Sequence, residues 1–577
     1  MEHNGLLKYK TMTLYSWLIF FLIIQIIHYL GTWKLYEKAG RKSWEAAIPV
    51  YNAIVLMKII NRPAWWTILL FLPVINIIMF GTIWVETLRS FGKNTIKDTF
   101  LGLFTLGFYI YYINYTQNVT YIKDRSLVAT TPTGDFVSSI LFAIVVATIV
   151  HTYFIQPFTI PTSSLEKSLL VGDFLFVSKY NYGARVPMTT VALPMIHDSI
   201  PFTKNRSYTN FPQLPYFRLP GFQKIEKNDI VVFNWPVDTV YKFFDKSKVK
   251  AVNKPIDKKS NYVKRCQGTP GDKLEIKNGV VYINNQILIL PERAKPQYEH
   301  TVYAAKSGVS HLLMAETGST EYNKTYIIKP SSDEQINAVQ PYILGSRQLP
   351  DNSYEVQTGY RGIPQRIIQN TGVFVQESQP AEVQMNLTLK AAETLRKNQT
   401  IDSVIRYIDK KATGTAVFPH DGKWTVDNFG PIDIPEVGKT IQLTGDNILL
   451  YKRIIENYEK NEFKLNGNQF SINGKIATSY TFKQNYYWMM GDNRHRSEDS
   501  RYWGFVPEDH IVGKPVLVWL SIDGINDGIK NWRIRWDRLF TTVSGEGEPY
   551  SYFKFFLLAL AAYFGFNYFL SKRKAAK

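Results

Sequence analysis

The sequence predicts a multi-span membrane anchor, a mostly-β region outside the membrane, and an α/β insertion within that region. Five uncharged apolar stretches alternate with a long polar region, so that the mean hydropathy averages to −0.15. The chain has 577 residues, too many for one ordinary domain. Between Phe158 and Tyr552, short β-rich runs are separated by turn residues, a pattern typical of antiparallel sheets.

The N-terminal apolar stretches have the length of membrane spans, since a spanning helix needs roughly 20 mostly apolar residues. They are Leu14 to Trp33, Ala64 to Val85 and Phe136 to Pro157. A further stretch, Phe100 to Tyr115, either spans, re-enters or lies at the interface. We predict a multi-span membrane region over 1–135, and over 136–157 a transmembrane helix that leads into the β region.

Basic residues predict the orientation of these spans, because Lys and Arg accumulate on the cytoplasmic side. A C-terminal transmembrane helix is predicted over 553–571, followed by a basic tail over 572–577. The loop from Lys34 to Arg62 carries six Lys and Arg residues, and the tail carries four. The pattern predicts a multi-pass protein of the bacterial cytoplasmic (inner) membrane, with the β region on the outer, periplasmic or extracytoplasmic side.

The β region is predicted to be interrupted once. Its first part covers 158–294 and its second part covers 429–550, with an insertion over 295–428 between them. Helix formers from Ala381 to Arg406 predict two helices in the insertion. The predicted strands include Phe174–Val177, Ile230–Phe233, Val280–Ile283, Ile448–Tyr451 and Val516–Trp519.

The formal net charge of +19 raises the possibility of nucleic-acid binding. The basic residues flank the apolar stretches instead, and the chain has no cysteine pairs that could bind zinc, so we predict no nucleic-acid partner. The single cysteine, Cys266, excludes an intrachain disulfide and a Cys-rich metal site. The nine histidines form no His-Glu-x-x-His motif, and we predict no metal and no cofactor.

Three polar clusters carry candidate chemistry. The first, Ile160 to Asp173, places several hydroxyl groups directly after the 136–157 helix. The second, Asn261 to Asp272, contains Lys264 before a Gly-Thr-Pro-Gly turn. The third, Met490 to Pro507, is a dense run of polar, glycine and aromatic residues. Surface loops and a solvated strand explain each cluster taken alone, so only their combination is informative.

Together the clusters resemble, in order, the sequence boxes of the bacterial type I signal peptidases (leader peptidases), serine peptidases with a Ser/Lys dyad. The first cluster resembles the nucleophile box, whose second serine falls on Ser164. Lys264 to Asp272 retains the lysine box, and Gly491 to Arg501 retains the Gly-Asp-Asn-x-x-x-Ser-x-Asp-Ser-Arg box. Lys227 to Phe233 is similar to a further strand of the family. The extra N-terminal spans and the insertion have no counterpart in this resemblance.

The resemblance implies a signal-peptidase-like antiparallel β fold and an exported catalytic domain that cleaves signal peptides after an Ala-x-Ala-like site. The implied roles are Ser164 as nucleophile, Lys264 as general base, Thr162 as oxyanion donor, Ser497 as the group that orients the lysine, and Asp499 with Arg501 as a supporting charge pair. The implied partners are signal-peptide-bearing precursor proteins and membrane lipid. The insertion is also a candidate for binding the secretion channel.

Two other readings remain open. Ser164-Leu-Glu-Lys167 matches the Ser-x-x-Lys motif of acyl transferases, but the Ser-Asp-Asn and Lys-Thr-Gly motifs that accompany it do not occur. We therefore expect Lys167 to be a solvated loop residue. An inert, membrane-tethered binding or assembly factor with the same fold is the third hypothesis, and the loss of the Ser or the Lys would be its mark.

Overall fold

The computed structural model describes residues 12–129, 131–203, 205–240, 251–412, 414–466 and 469–575. The first eleven residues of the predicted membrane region and the last two of the predicted basic tail lie outside this range. The described residues form an N-terminal helical unit, a large β region and a C-terminal helix.

The N-terminal unit begins with a 25-residue helix, Leu14–Lys38, whose first turn is capped by the Thr13 hydroxyl. Shorter helices pack against it around a core that includes Leu35, Val55 and Leu88. These helices are Tyr51–Ile59, Trp66–Leu69, Ile75–Ser90, Ile96–Phe104 and Tyr109–Thr116.

The predicted span from Ala64 to Val85 is not one helix. The helix Trp66–Leu69 ends before Pro73, and a second helix, Ile75–Ser90, begins after it. Proline lacks the backbone donor that a helix interior needs and disfavours helical geometry in the residue before it. The second helix has 16 residues and a length of about 24 Å, less than the roughly 30 Å of a bilayer core.

Three helices in the described part of the chain are long and apolar enough to cross a membrane. They are Leu14–Lys38, Pro132–Phe154 and Phe553–Arg573. The Phe100 to Tyr115 stretch is divided between two helices of nine and eight residues. The helix over 132–154 leads directly into the first strand of the β region.

The mostly-β prediction is confirmed. The central sheet has nine strands, and every paired neighbour runs antiparallel. The main path across it is Ile155–Thr159, Asp173–Ser178, Ile511–Asp523, Ile230–Asn234, Asn261–Gly268, Tyr486–Met490 and Val506–Pro507. Two short strands, Arg533–Ile534 and Thr541–Thr542, pair with the long strand Ile511–Asp523. Chain segments far apart in sequence therefore meet in this sheet.

Smaller sheets complete the β region outside the insertion. Their strands are Lys273–Lys277, Val280–Ile283, Gln286–Ile287, Phe429–Asp433, Thr440–Gln442, Phe463–Asn466, Gln469–Ile472, Lys475–Ile476 and Ser479–Thr481. The predicted strand Ile448–Tyr451 is wrong, because these residues begin the helix Ile448–Arg453. Ile448, Leu450 and Tyr451 are buried in the core of this part, so an apolar run that reads as a strand is here one face of a short helix.

The segment 295–428 contains both strands and helices. One sheet has the strands Gln297–Tyr303, Glu382–Thr388 and Ser403–Arg406, and the other has Lys324–Lys329, Ile343–Gln348, Tyr354–Thr358 and Phe374–Ser378. Its helices are His311–Glu316, Asp333–Val339, Gln365–Thr371 and Leu389–Arg396. The two helices predicted between Ala381 and Arg406 are wrong, since one helix lies there between two strands that pair with Gln297–Tyr303.

Candidate active site

Ser164, the predicted nucleophile, lies on a tight loop between the first two strands of the central sheet, here called the nucleophile loop. The loop is closed at its base by hydrogen bonds between Ile160 and Asp173 and between Gly172 and Ile160. A side chain at Gly172 would collide with the carbonyl oxygen of Ile522 at 1.9 Å, so the loop can pack against the long strand only with glycine here. Ser164 sits in the single 3₁₀ turn Ser163–Leu165.

Lys264 lies on the central strand Asn261–Gly268, where it is directly opposite Val231. Its Nζ donates a hydrogen bond of 2.6 Å to the Oγ of Ser164. The lysine is 3% exposed and the serine 7% exposed. The structure thus brings together the predicted nucleophile and base, which are 100 residues apart in the sequence.

Burial lowers the pKa of Lys264 to about 8, because an ammonium group loses hydration in this environment. The nearby Arg501 guanidinium acts in the same direction, whereas Asp499 and Glu498 oppose it. Arg265, the sequence neighbour, is directed away and forms an ion pair of 2.6 Å with Asp492. At neutral pH about one lysine in ten is then an unprotonated amine, compared with about one in a thousand for a free lysine.

The Gly491 to Arg501 segment forms hydrogen bonds with the backbone of the 3₁₀ turn that carries Ser164. The backbone N–H of Asn493 donates to the carbonyl of Ser164 at 3.1 Å, and its side-chain amide donates to the carbonyl of Ser163 at 3.0 Å. A Cβ on Gly491 would lie 2.5 Å from the carbonyl oxygen of Ser164, so this approach requires a glycine. The segment therefore fixes where Ser164 lies relative to Lys264.

Asp499 and Arg501 form the predicted charge pair. Arg501 donates two parallel hydrogen bonds to the Asp499 carboxylate, at 2.9 and 2.8 Å, and both side chains are almost completely buried. The same carboxylate accepts from the backbone N–H of Gly491 at 3.0 Å, which ties the pair to the segment beside Ser164. Burial alone would raise the pKa of Asp499, but the arginine overcomes this and lowers the pKa.

Ser497 and Thr162 flank the dyad without the hydrogen bonds that their implied roles require. The Ser497 hydroxyl is buried and has no hydrogen-bond partner among the described residues, and it lies against Gly491. Thr162 is exposed, and its hydroxyl caps no neighbouring backbone group. The roles of both hydroxyl groups stay predictions.

Lys167 is partly buried, which differs from the predicted solvated position, and its amine extends toward Gly318. Burial lowers its pKa despite two nearby carboxylates, Glu166 and Glu321. No hydrogen bond joins Lys167 to Ser164 in the described part of the chain, and Ser164 does not open a helix. The geometry therefore favours Lys264 over the Ser-x-x-Lys alternative.

The segment 295–428 contacts the nucleophile loop directly, a contact that no sequence motif predicts. Gln297 donates from its backbone to the Asp492 carbonyl and from its side chain to the Glu166 carbonyl, both at 2.8 Å. The Glu321 carboxylate accepts from the side-chain amide of Asn493 at 2.9 Å and from that of Asn386 at 3.1 Å. These residues match no motif, so no local signal identified them.

The chain is similar to known proteins over much of its length. Residues 133–355 and 436–520, more than half of the chain, match the family described as signal peptidase, peptidase S26. Residues 44–124 match a family of unknown function, DUF5684. The matched segments contain Ser164, Lys264 and the Gly491 to Arg501 segment.

Curated relatives carry the name Signal peptidase I. The protein from Rickettsia typhi is 29% identical over 238 residues, which cover 39% of this chain and 73% of the relative. Those from Rickettsia massiliae and Rickettsia akari are each 29% identical over 179 residues, 31% of this chain. The match spans about half the length of these last two relatives, 51% in each case.

Proposed function

This chain belongs to the signal peptidase family, peptidase S26, and we propose that it hydrolyses the peptide bond after an Ala-x-Ala-like site in the signal peptides of exported proteins. The reaction is that of a serine endopeptidase, with Ser164 as nucleophile and Lys264 as general base. One observation carries the proposal: Lys264 Nζ lies 2.6 Å from Ser164 Oγ, and both groups are buried.

In the first step the neutral amine of Lys264 takes the hydroxyl proton as Ser164 Oγ attacks the scissile carbonyl carbon. The resulting ammonium then gives this proton to the leaving amine, and the carbon–nitrogen bond breaks to form an acyl-enzyme. Water, deprotonated by the same lysine, hydrolyses the ester and restores the serine. The buried site supports this cycle because the lysine can exist as a free amine near neutral pH.

The negative charge on the tetrahedral intermediate needs hydrogen-bond donors. We assign the Thr162 hydroxyl and the Ser164 backbone N–H to this role, where one donor is typically worth about 3 kcal/mol. We assign to Ser497 the orientation of Lys264, because its buried hydroxyl has no hydrogen-bond partner among the described residues and is available for this role. Asp499 and Arg501 support these groups through Gly491.

The three long apolar helices fit a membrane-anchored protein. We propose a multi-pass protein of the inner membrane with the β region outside, which would place the dyad near the surface where signal peptides emerge. Membrane lipid and the secretion channel are proposed partners. Basic residues at Lys572 and Arg573 support a cytoplasmic C-terminal end.

The test is cleavage of a precursor carrying an Ala-x-Ala site by the detergent-solubilised full chain. We expect wild type to cut after the second Ala, S164A and K264A to be inactive though folded, and K167A to keep most of the activity. A chain that does not cut, although its thermal unfolding is normal, would instead favour the inert binding factor. Loss of activity in K167A with retention in K264A would favour the Ser-x-x-Lys alternative.

A further inference from the structure

Lys179 lies where the chain leaves the apolar helix Pro132–Phe154. It follows the strand Asp173–Ser178, and its backbone N–H donates to the carbonyl of Phe154, the last residue of that helix, at 2.8 Å. If the helix crosses the bilayer, Lys179 lies at the level of the lipid headgroups. It is 7% exposed, although it plays no part in the Ser164 site.

The ammonium group of Lys179 has no hydrogen bond or ion pair with any residue that the structure describes. The ammonium nitrogen lies over the Phe158 ring, 5.6 Å from the ring centre. Burial lowers the pKa of Lys179 well below its usual range, and Arg185 and Arg218 add to this effect. A buried and unpaired cation is costly, and a bound anion would compensate it.

Lys179 lines a cavity of about 180 Å³, here called the Lys179 cavity. Arg185 and Lys258 also line it and add positive charge, whereas Asp257 is the single carboxylate among the lining residues. Both Asp257 oxygens already accept hydrogen bonds from Thr189, at 2.9 and 2.7 Å. Arg185 and Lys258 outnumber Asp257, so the cavity has an excess of positive charge, and it has room for several water-sized groups of roughly 30 Å³.

Apolar side chains line part of the Lys179 cavity and are here called its apolar rim. They are Val74, Leu193 and Met195, and Thr148 and Thr152 of the helix that enters the β region also line the cavity. Leu193 and Met195 are 43% and 51% exposed, so they offer an apolar surface beside the cationic interior. A ligand with an anionic group and a hydrocarbon part matches both surfaces.

We propose that the Lys179 cavity binds the phosphate group of an anionic phospholipid, with the acyl chains lying along the apolar rim. Lys179 has no ion-pair partner among the described residues, so a phosphate beside it would favour its ammonium form, and Arg185 and Lys258 supply additional positive charge. Free phosphate has the same headgroup chemistry, but it would leave the apolar rim unused. The inference rests on the membrane anchoring in the proposed function and not on the peptidase reaction.

Lipid binding is measured by native mass spectrometry on the delipidated full chain in detergent. The probes are phosphatidylglycerol, diacylglycerol with the same acyl chains, and inorganic phosphate. We expect phosphatidylglycerol to bind wild type and K179R, and to bind K179M at least tenfold more weakly. The control K224M removes an exposed lysine outside the cavity and should bind as wild type does.

Equal affinity of K179M and wild type for phosphatidylglycerol would overturn the proposal. So would equal binding of diacylglycerol, which lacks phosphate, or displacement of the lipid by an equal concentration of inorganic phosphate. If K179M does not fold, a rise in the unfolding temperature of wild type with phosphatidylglycerol but not with diacylglycerol still tests the site. Binding is read without substrate, so a chain that binds lipid but cuts no precursor refutes only the peptidase proposal.

Discussion

At the scale of single residues, the decisive property is the loss of hydration at Lys264. In the proposed mechanism the amine must be neutral to accept the proton of Ser164, and burial lowers the pKa of Lys264 more than the neighbouring positive charge does. Arg265, the charge adjacent in sequence, is neutralised by Asp492 instead. The cost of a buried ammonium is therefore built into the folded state, and it has consequences for both activity and stability.

The first consequence concerns the pH dependence of cleavage. Since the pKa of Lys264 is about 8, kcat/KM is expected to rise about tenfold for each pH unit below 8 and to level off above it. A pH profile of precursor cleavage in detergent checks this. A profile that is flat between pH 6 and 9 would contradict the assignment of Lys264 as the base.

The second consequence concerns stability. The folded pKa of Lys264 is depressed from 10.5 to about 8, so folding disfavours the ammonium and stability rises with pH between these two values. At pH 7 the Lys264→Met variant loses this penalty, and its free energy of unfolding is expected to rise by up to about 3 kcal/mol while cleavage is lost. Denaturant unfolding of K264M and wild type at pH 7 and at pH 10 measures the difference, which should shrink at the higher pH.

At the scale of elements, the segment 295–428 supports the nucleophile loop through hydrogen bonds. Glu321 holds Asn493, and Asn493 holds the carbonyl groups of Ser163 and Ser164. Gln297 contacts both the loop and the Gly491 to Arg501 segment. The segment thus has a structural link to the proposed reaction centre.

Replacing Glu321 tests this link. E321A removes the acceptor for Asn493, and we expect kcat to fall roughly tenfold to a hundredfold with little change in KM, because the nucleophile is displaced while the substrate cleft remains. E321Q keeps one acceptor oxygen and should recover part of the activity. The matched control is E316A, an exposed glutamate of the same segment that should behave as wild type. An E321A enzyme within twofold of wild type would refute the link.

At the scale of the whole molecule, the chain combines apolar helices at both ends with a water-exposed β region. Pro132–Phe154 enters the central sheet directly, so only one strand and one turn separate Ser164 from the end of this helix. The C-terminal helix, Phe553–Ala575, has no buried residue in its apolar stretch. Such a helix needs a membrane or another partner to cover it.

The predicted orientation can be tested with introduced cysteines. The native Cys266 is completely buried, and burial raises the pKa of its thiol, so it should not react with a membrane-impermeant maleimide. In intact spheroplasts we expect K224C to be labelled and K572C to be labelled only after permeabilisation. Labelling of K572C in intact cells would reverse the proposed orientation of the C-terminal helix.

The sequence by itself identified the family and located the three long apolar helices, and it predicted the dyad residues, because motifs and long apolar runs are local properties of the chain. It overestimated the length of the helix in the 64–85 stretch, because hydropathy does not indicate that the helix is interrupted at Pro73. It also misassigned Ile448–Tyr451, since a short apolar run fits a buried helix as well as a strand.

Only the tertiary structure decided how distant segments meet. Lys264 contacts Ser164, and Glu321 supports Asn493, across long distances in the sequence. The position of Lys179 in its cavity depends on burial. A single lysine or glutamate in a sequence does not indicate whether its side chain is solvated or buried. Its pKa and its partners depend on the surrounding packing, and that packing is set by long-range strand pairing rather than by the neighbouring residues.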